Sequence, residues 1–223
     1  MNYYDWTHMG LGPEYTIEIN PNFGRKMGFG RTETVHILIA LAALSVSFAI
    51  LYARVGGFFS KDPVVNIIGW LLFSVVAVTT SFLFHELGHK LVAQRMGAWA
   101  EFRMFPAGLF AGVIMSLFGF LIAAPGAVMI SGRINDRENG IISIAGPAVN
   151  AVLGAIFLAL AMLTTGKLMI LLFLIARLNI ILGIFNMIPF PPLDGSKIVK
   201  WNVPAYVAMA GVLVALYVLT RVL

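Results

Sequence analysis

Residues 64–96, VVNIIGWLLFSVVAVTTSFLFHELGHKLVAQRM, join a long apolar stretch to a polar cluster with no proline between them. Residues 64–84 contain no charged side chain. As a helix rising 1.5 Å per residue, this stretch spans about 30 Å, which matches the hydrocarbon thickness of a bilayer. The pattern therefore predicts a membrane-spanning helix whose polar end, beginning at His85, lies near one face of the membrane.

The composition of the whole chain also indicates a membrane protein. Of its 223 residues, 60% are hydrophobic and 11% are charged, and the net charge is +5. Soluble domains contain about 45–50% apolar and about 25% charged residues, so this chain has too little charge to solvate a globular surface. These values exclude a soluble enzyme, a disordered tail and a fibre. We attribute the positive charge to basic cytoplasmic loops and expect no nucleic-acid partner.

Five further apolar stretches, at 36–53, 109–132, 141–164, 168–188 and 203–219, are long enough to be candidate spans. Alternating apolar and polar residues predict strands at 15–19, 99–105 and 126–131. Residues 1–34 lack a long apolar segment, so we expect no cleavable signal peptide. We expect one membrane-embedded domain over 1–223, divided into an N-terminal strand region (1–34), two spans (36–97), a strand and return segment (98–132), core spans (141–200) and a last span (203–223).

The polar cluster His85-Glu86-Leu87-Gly88-His89 matches the pattern H-E-x-x-H. Residues four apart share one face of a helix, so both imidazoles can bind one Zn²⁺ while the glutamate leans over the metal-bound water. The chain contains no cysteine and four histidines, so a metal must be held by His, Asp or Glu. Ionisable residues at membrane depth are costly and usually functional. We therefore predict one zinc ion per chain at His85 and His89.

A catalytic zinc ion needs a third protein ligand and an open position for water. Among the ten acidic residues, Asp194 is the best candidate, because it ends a segment, residues 186–194, that leaves a helix and contains three prolines. Irregular backbone near the membrane is tolerated only where protein or a water-filled cavity covers it. Taken in isolation, the segment could also be a proline-rich helix end with a solvated aspartate.

Together these residues resemble the site-2 protease family of intramembrane zinc metalloproteases, in a compact form without a PDZ domain. The resemblance rests on FHELGH (84–89), on GPAVN (146–150) and on the segment from Asn186 through Pro189 to LDG (193–195). It implies that His85, His89 and Asp194 bind zinc and that Glu86 is the catalytic base. It also implies that Asn186 holds the substrate or the developing oxyanion, and that the substrates are single-span membrane proteins in a regulatory pathway.

Both halves of the predicted site must lie on one side of the membrane, which six spans would not allow. We therefore predict an α-helical polytopic membrane protein with five transmembrane helices, a re-entrant third stretch interrupted at Pro125 and Gly126, and a small β-sheet at the cytoplasmic interface. With a cytoplasmic N-terminus, ten loop cations lie inside and four lie outside, as the positive-inside rule favours. The ten are Arg25, Lys26, Arg31, Lys90, Arg95, Arg103, Arg133, Arg137, Lys197 and Lys200; the four are Arg54, Lys61, Lys167 and Arg221. We expect a multi-pass protein of the cell membrane whose active site faces the cytoplasmic side.

A helical substrate hides its peptide bonds in its own hydrogen bonds, so it must become extended near the zinc. An exposed strand edge can hold an extended chain by β-augmentation. We assign this substrate-binding role to Ala127, Val128, Met129 and Ile130. Asn150 is also placed among the substrate-binding residues, with a bracing role behind the site or simple packing as alternatives.

Asn186 lies at the end of a span, eight residues before Asp194, where its amide could donate to the oxyanion; an interhelical hydrogen bond is the alternative. We expect no small-molecule cofactor.

Two other functions fit part of the pattern. A metal-binding transporter or channel would suit the broken spans and Arg177, a cation in the middle of an apolar helix. A catalytically inactive zinc-binding protein of the same fold is the second alternative. The glutamate within the histidine pair and the single aspartate after the proline-rich break favour an active protease.

Overall fold

The computed structural model describes residues 28–54, 57–121 and 123–222. The predicted strand at 15–19 lies outside these ranges. The chain order of the elements is α1 (Arg31–Ala53), α2 (Pro63–Val78), a π-helical turn (Thr79–Leu83), α3 (Phe84–Arg95), β1 (Trp99–Met104), α4 (Pro106–Leu117), β2 (Gly126–Ser131), α5 (Asp136–Met162), α6 (Gly166–Asn186), α7 (Asp194–Trp201) and α8 (Val203–Val222).

Five helices of the described residues are long and apolar enough to cross a membrane, which confirms the predicted number of spans. They are Arg31–Ala53, Pro63–Arg95, Asp136–Met162, Gly166–Asn186 and Val203–Val222. The first and third of them begin before the apolar stretches that predicted them, because their first turns are polar. In α5 these polar residues form a capping box, in which the side chains of Asn135 and Glu138 each bond to the other's backbone N–H.

The third apolar stretch, residues 109–132, returns to the sheet from which the chain left and does not cross the membrane. Strands β1 and β2 pair antiparallel, with Met104 opposite Gly126, so the chain between them leaves the sheet and comes back to it. Helix α4 has 12 residues, about 18 Å, which is too short to cross the bilayer. The returning chain packs tightly on α4, since a Cβ on Gly108 would lie 2.1 Å from the carbonyl oxygen of Ala124. The prediction of a re-entrant segment is confirmed.

The packing of the helices places the H-E-x-x-H motif inside the bundle. Helix α5 packs against α3, α6 and α7, and α1 packs against α2, α4 and β1. One apolar cluster joins α1 to the π-helical turn, the sheet and α4 through Leu44, Phe82, Phe102 and Leu109. A second cluster on the other side joins α5, α7 and α8 through Ala151, Ile198 and Leu213. Helix α3, which carries the motif, packs against α5 and against both strands of the sheet.

The segment after α6 forms a short helix, α7, that the sequence pattern does not predict. The sequence places Asp194 beside a flexible glycine in irregular chain, and the structure corrects this, because Asp194 is the first residue of α7. Gly195 is needed for close packing rather than for flexibility. A Cβ at this position would lie 2.2 Å from the carbonyl oxygen of Met187.

Candidate metal centre

The π-helical turn Thr79–Leu83 immediately precedes the H-E-x-x-H motif. At its end the N–H of Phe84 donates to the carbonyl of Thr79, five residues back, which changes the register of the helix just before His85. Such π-bulges often occur at functional sites. His85 and His89 then lie on one buried face of α3. Both imidazoles contact Gly146 of α5, where a Cβ would lie 2.4 Å from Nε2 of His89 and 2.6 Å from Cε1 of His85.

Three potential metal ligands converge at this contact. The Nε2 atoms of His85 and His89 are 3.0 Å apart. Oδ2 of Asp194 lies 3.4 Å from Nε2 of His85 and 3.1 Å from Nε2 of His89. All three residues are buried, and they form the cluster of metal-ligating side chains found among the described residues. Helix α7 thus brings Asp194 to the histidines from more than one hundred positions further along the chain.

The hydrogen bonds of the other ring nitrogens determine where the imidazole protons are. Nδ1 of His85 lies 2.7 Å from Oδ1 of Asn150, and Nδ1 of His89 lies 2.8 Å from the carbonyl oxygen of Ile142. Both partners are acceptors, so each Nδ1 carries a proton and donates it. Both Nε2 atoms then present bare lone pairs to Asp194, as metal-ligating histidines do.

A chain of amides fixes the orientation of Asn150. Its Nδ2 donates to the carbonyl of Ser81 in the π-helical turn and to Oδ1 of Asn179 in α6. Nδ2 of Asn179 donates in turn to the carbonyl of Ile175. Since the two backbone carbonyls can only accept, Oδ1 of Asn150 must face His85. The Asn150 side chain is fully buried and engaged on both ends, which favours a role in orienting His85 over the contact with a substrate expected from the sequence.

The donor set fits zinc. Tetrahedral Zn²⁺ binds His nitrogen and carboxylate oxygen at about 2.0–2.2 Å, which places its ligand atoms about 3.3 Å from one another. The three observed separations of 3.0, 3.4 and 3.1 Å agree with this spacing. Among the described residues, no hydrogen-bond donor is paired with the buried Oδ2 of Asp194. Two neutral imidazoles and one carboxylate leave a fourth tetrahedral position for water.

Asp194 is held as a carboxylate. Burial alone would raise the pKa of Asp194, whereas positive charge on the facing imidazoles of His89 and His85 would lower this pKa below its ordinary value, as a cation bound between them would. Nζ of Lys197, one turn later in α7, lies 3.8 Å from the other carboxylate oxygen. The residue is therefore a ready anionic ligand at the start of a helix.

Glu86 lies between the metal ligands and the sheet. Its Oε2 accepts a hydrogen bond of 3.1 Å from the backbone N–H of Val128 in β2. This contact places the predicted catalytic base beside the strand that is predicted to bind the substrate.

The alternation of hydrogen bonds shows which edge of the sheet faces Glu86. The N–H of Phe105 donates to Pro125, so the pair Phe105–Pro125 bonds across the two chains, as every second pair along β1 and β2 then does. Phe102 and Val128 form a non-hydrogen-bonded pair, so their N–H groups point away from each other. The N–H of Phe102 donates to Glu33, and that of Val128 donates to Glu86. The outer edge of β2 therefore faces Glu86.

Two further predicted residues lie in α6. The side-chain amide of Asn186, the last residue of α6, donates to the carbonyl of Leu182 one turn earlier. This bond uses one of its two N–H groups, and the oxyanion role stays a prediction. The guanidinium of Arg177 lies 6.0 Å from the ring centre of Phe173 on the same helix.

Several residues that build the site have no signal in the sequence pattern. Asn179 resembles any other polar residue of a span, yet it orients Asn150. Gly146 belongs to the GPAVN segment, but its contact with both histidines depends on how α3 packs on α5. The π-helical turn has no composition that distinguishes it from the surrounding helix. Each of these features depends on contacts between distant segments.

Comparison with known proteins gives consistent matches. The profile of peptidase family M50 matches residues 164–211. A proposed zinc metalloprotease of Methanocaldococcus jannaschii is 36% identical over 178 residues, covering 78% of this chain and 86% of that protein. Proposed zinc metalloproteases of Mycobacterium tuberculosis and Bacillus subtilis are each 32% identical, covering 79% and 58% of this chain and 42% and 68% of those proteins. No solved structure matches the chain.

Proposed function

This chain belongs to peptidase family M50 and is a zinc metalloprotease, and we propose that it cleaves single-span membrane proteins within the bilayer. The observation that carries the proposal is the convergence of two bare imidazole nitrogens and a buried carboxylate at the polar end of an apolar span. Glu86 lies next to His85 in the chain and faces a strand edge, so a base and a substrate-binding surface meet at the metal centre.

The side chains of the site divide the reaction between them. Zinc, when bound by His85, His89 and Asp194, lowers the pKa of a bound water to about 7 and polarises the scissile carbonyl. Glu86 accepts the proton of the attacking water and passes it to the leaving amine. The second N–H of Asn186 stabilises the oxyanion in this proposal. Asn150 and the carbonyl of Ile142 keep the imidazoles in the tautomer that leaves Nε2 free.

The outer edge of β2 binds the substrate in an extended conformation. Hydrogen-bonded and non-hydrogen-bonded pairs alternate along the two strands. The N–H groups of Val128 and Ile130 therefore point to this edge, whereas those of Ala127 and Met129 bond to β1. The N–H of Val128 is bonded to Glu86, so a substrate strand would accept its hydrogen bond from the N–H of Ile130. Pairing at Ile130 would place the scissile segment two residues from Val128, next to the side chain of Glu86.

Proline at position 130 tests this register. Ile130→Pro removes an N–H donor from the outer edge of β2 and leaves the pairing with β1 intact. We expect KM for the substrate to rise about fivefold to tenfold, because the substrate loses one hydrogen bond. The measurement is cleavage of a panel of purified single-span proteins, with zinc content determined in parallel. Ile130→Val keeps the donor and is the matched control. An unchanged KM in the proline variant would contradict the register, and failure of the unmodified chain to cleave any protein would contradict the proposed function.

We further propose that the metal centre faces the cytoplasmic side of the cell membrane. The support is the positive-inside count, in which the connections on the side of the metal centre carry most of the loop cations. Single cysteines in place of Lys61 and Arg137 test the orientation, because Lys61 lies in the connection before α2 whereas Arg137 lies in the first turn of α5, at the opposite end of the spans. We expect a membrane-impermeant thiol reagent added outside the cell to label position 61 and not position 137. Labelling of both positions from outside would overturn the arrangement.

A further inference from the structure

A buried ion pair lies outside the metal centre and is not used by the mechanism above. Glu33, in the first turn of α1, is fully buried, and Lys90, which follows His89 in α3, is 1% exposed. Nζ of Lys90 lies 2.6 Å from Oε1 of Glu33, and the ring of Phe29 lies 4.4 Å from the same Nζ. The positive-inside count treats Lys90 as a loop cation, whereas the structure places it inside the protein.

Glu33 also binds the sheet. Its Oε1 accepts a hydrogen bond of 3.0 Å from the backbone N–H of Phe102, on the edge of β1 that faces away from β2. On the same edge, the carbonyl of Ala100 accepts from the side chain of Gln94 in α3 at 3.3 Å. These contacts occupy the outer edge of β1 with side chains, whereas on the outer edge of β2 the bond from Val128 goes to Glu86 itself, so among the described strands β2 is the one that presents its edge beside Glu86.

The contacts of Glu33 connect α3, which carries Glu86, to the sheet, which in turn contacts Glu86. Through Lys90, Glu33 binds the helix that carries Glu86; through Phe102, it binds the residue paired with Val128, whose N–H donates to Glu86. From these connected contacts we infer that Glu33 is a positioning residue, which sets the distance between the substrate-binding edge of β2 and Glu86. The inference rests on the proposed function and concerns a residue that touches neither zinc nor substrate.

The acceptor, rather than the charge, is the property that this role requires. A buried ion pair can often be replaced by apolar residues without loss of stability, whereas removal of one partner leaves an unpaired buried charge. Lys90 therefore neutralises Glu33, and the Glu33 carboxylate supplies the acceptor for Phe102. A neutral pair that keeps an acceptor at position 33 should keep the sheet in place.

Two double variants separate the acceptor from the charge. E33Q/K90M and E33M/K90M both lack the ion pair and have similar side-chain volumes, but only the first has a side-chain oxygen at position 33 that can accept from the N–H of Phe102. We expect E33Q/K90M to keep kcat/KM within about threefold and E33M/K90M to lose about tenfold, mainly through KM, as for one lost hydrogen bond. Hydrogen exchange at the amide of Phe102 should be faster in E33M/K90M alone, and zinc should stay at one ion per chain in both.

Each other outcome overturns the inference. Equal kcat/KM and equal exchange in the two variants would show that the acceptor has no positioning role. A loss of zinc or of thermal stability that parallels the loss of cleavage in E33M/K90M would show a purely structural role. Failure of the unmodified chain to cleave would instead contradict the proposed function, and the exchange measurement would still test the contact between Glu33 and Phe102.

Discussion

We expect Glu86→Gln to lower the cleavage rate by about 10²–10⁴-fold and to leave zinc bound at one ion per chain. Glutamine has nearly the shape of glutamate, and its carbonyl oxygen can still accept from the N–H of Val128. It cannot accept the proton of the attacking water. The proposed zinc ligands His85, His89 and Asp194 are unchanged, so metal binding should persist. The measurements are metal content and the rate of cleavage of a single-span model protein in detergent.

Glu138→Gln is the matched control for this variant. Glu138 lies in the first turn of α5, where its side chain accepts from the backbone N–H of Asn135, and glutamine serves equally well in a capping box. We expect normal cleavage from it. Normal cleavage by Glu86→Gln would contradict the role of Glu86 as the base, and a loss of zinc in Glu86→Gln would show that the residue supports the metal centre itself.

We expect Gly146→Ala to remove most of the bound zinc and, with it, the activity. The new Cβ would lie 2.4 Å from Nε2 of His89 and 2.6 Å from Cε1 of His85, closer than atoms in contact can approach. Either the imidazoles move away from Asp194 or α5 moves away from α3. In both cases the three ligand atoms lose the spacing that zinc requires. The measurement is the zinc-to-protein ratio after purification, together with helix content by circular dichroism.

Gly211→Ala is the control for this substitution. Gly211 lies in α8, and no atom of the part of the chain that the structure describes lies within 4 Å of the position its Cβ would occupy. Alanine is a better helix former than glycine, so we expect this variant to fold and to bind zinc like the unmodified chain. Full zinc occupancy in Gly146→Ala would show that α3 and α5 can separate without disturbing the ligands, which would contradict the tight packing described here.

Much of the fold follows from the apolar pattern, because a helix in lipid must be long and uncharged to satisfy its backbone. This pattern predicts six candidate spans. The requirement that both halves of the site lie on one side of the membrane reduces them to five, and the break at Pro125 and Gly126 identifies the re-entrant one. The alternation at 99–105 and 126–131 predicts both strands of the observed sheet. Helix α7 does not follow from the pattern, because it has only 8 residues and comes directly after a proline-rich segment.

The sequence by itself determined the chemistry of the site, because H-E-x-x-H places both imidazoles on one face of a helix by local geometry alone. It also singled out Asp194 as the candidate third ligand, and the structure places this residue beside both imidazoles. Only the tertiary structure decided how these groups are held. The packing of Gly146 on both imidazoles, the amide chain from Asn179 to His85 and the attachment of the sheet by Glu33 all join segments that are far apart in the chain. Local periodicity carries no information about such contacts, because they depend on which helix faces meet when the spans pack together.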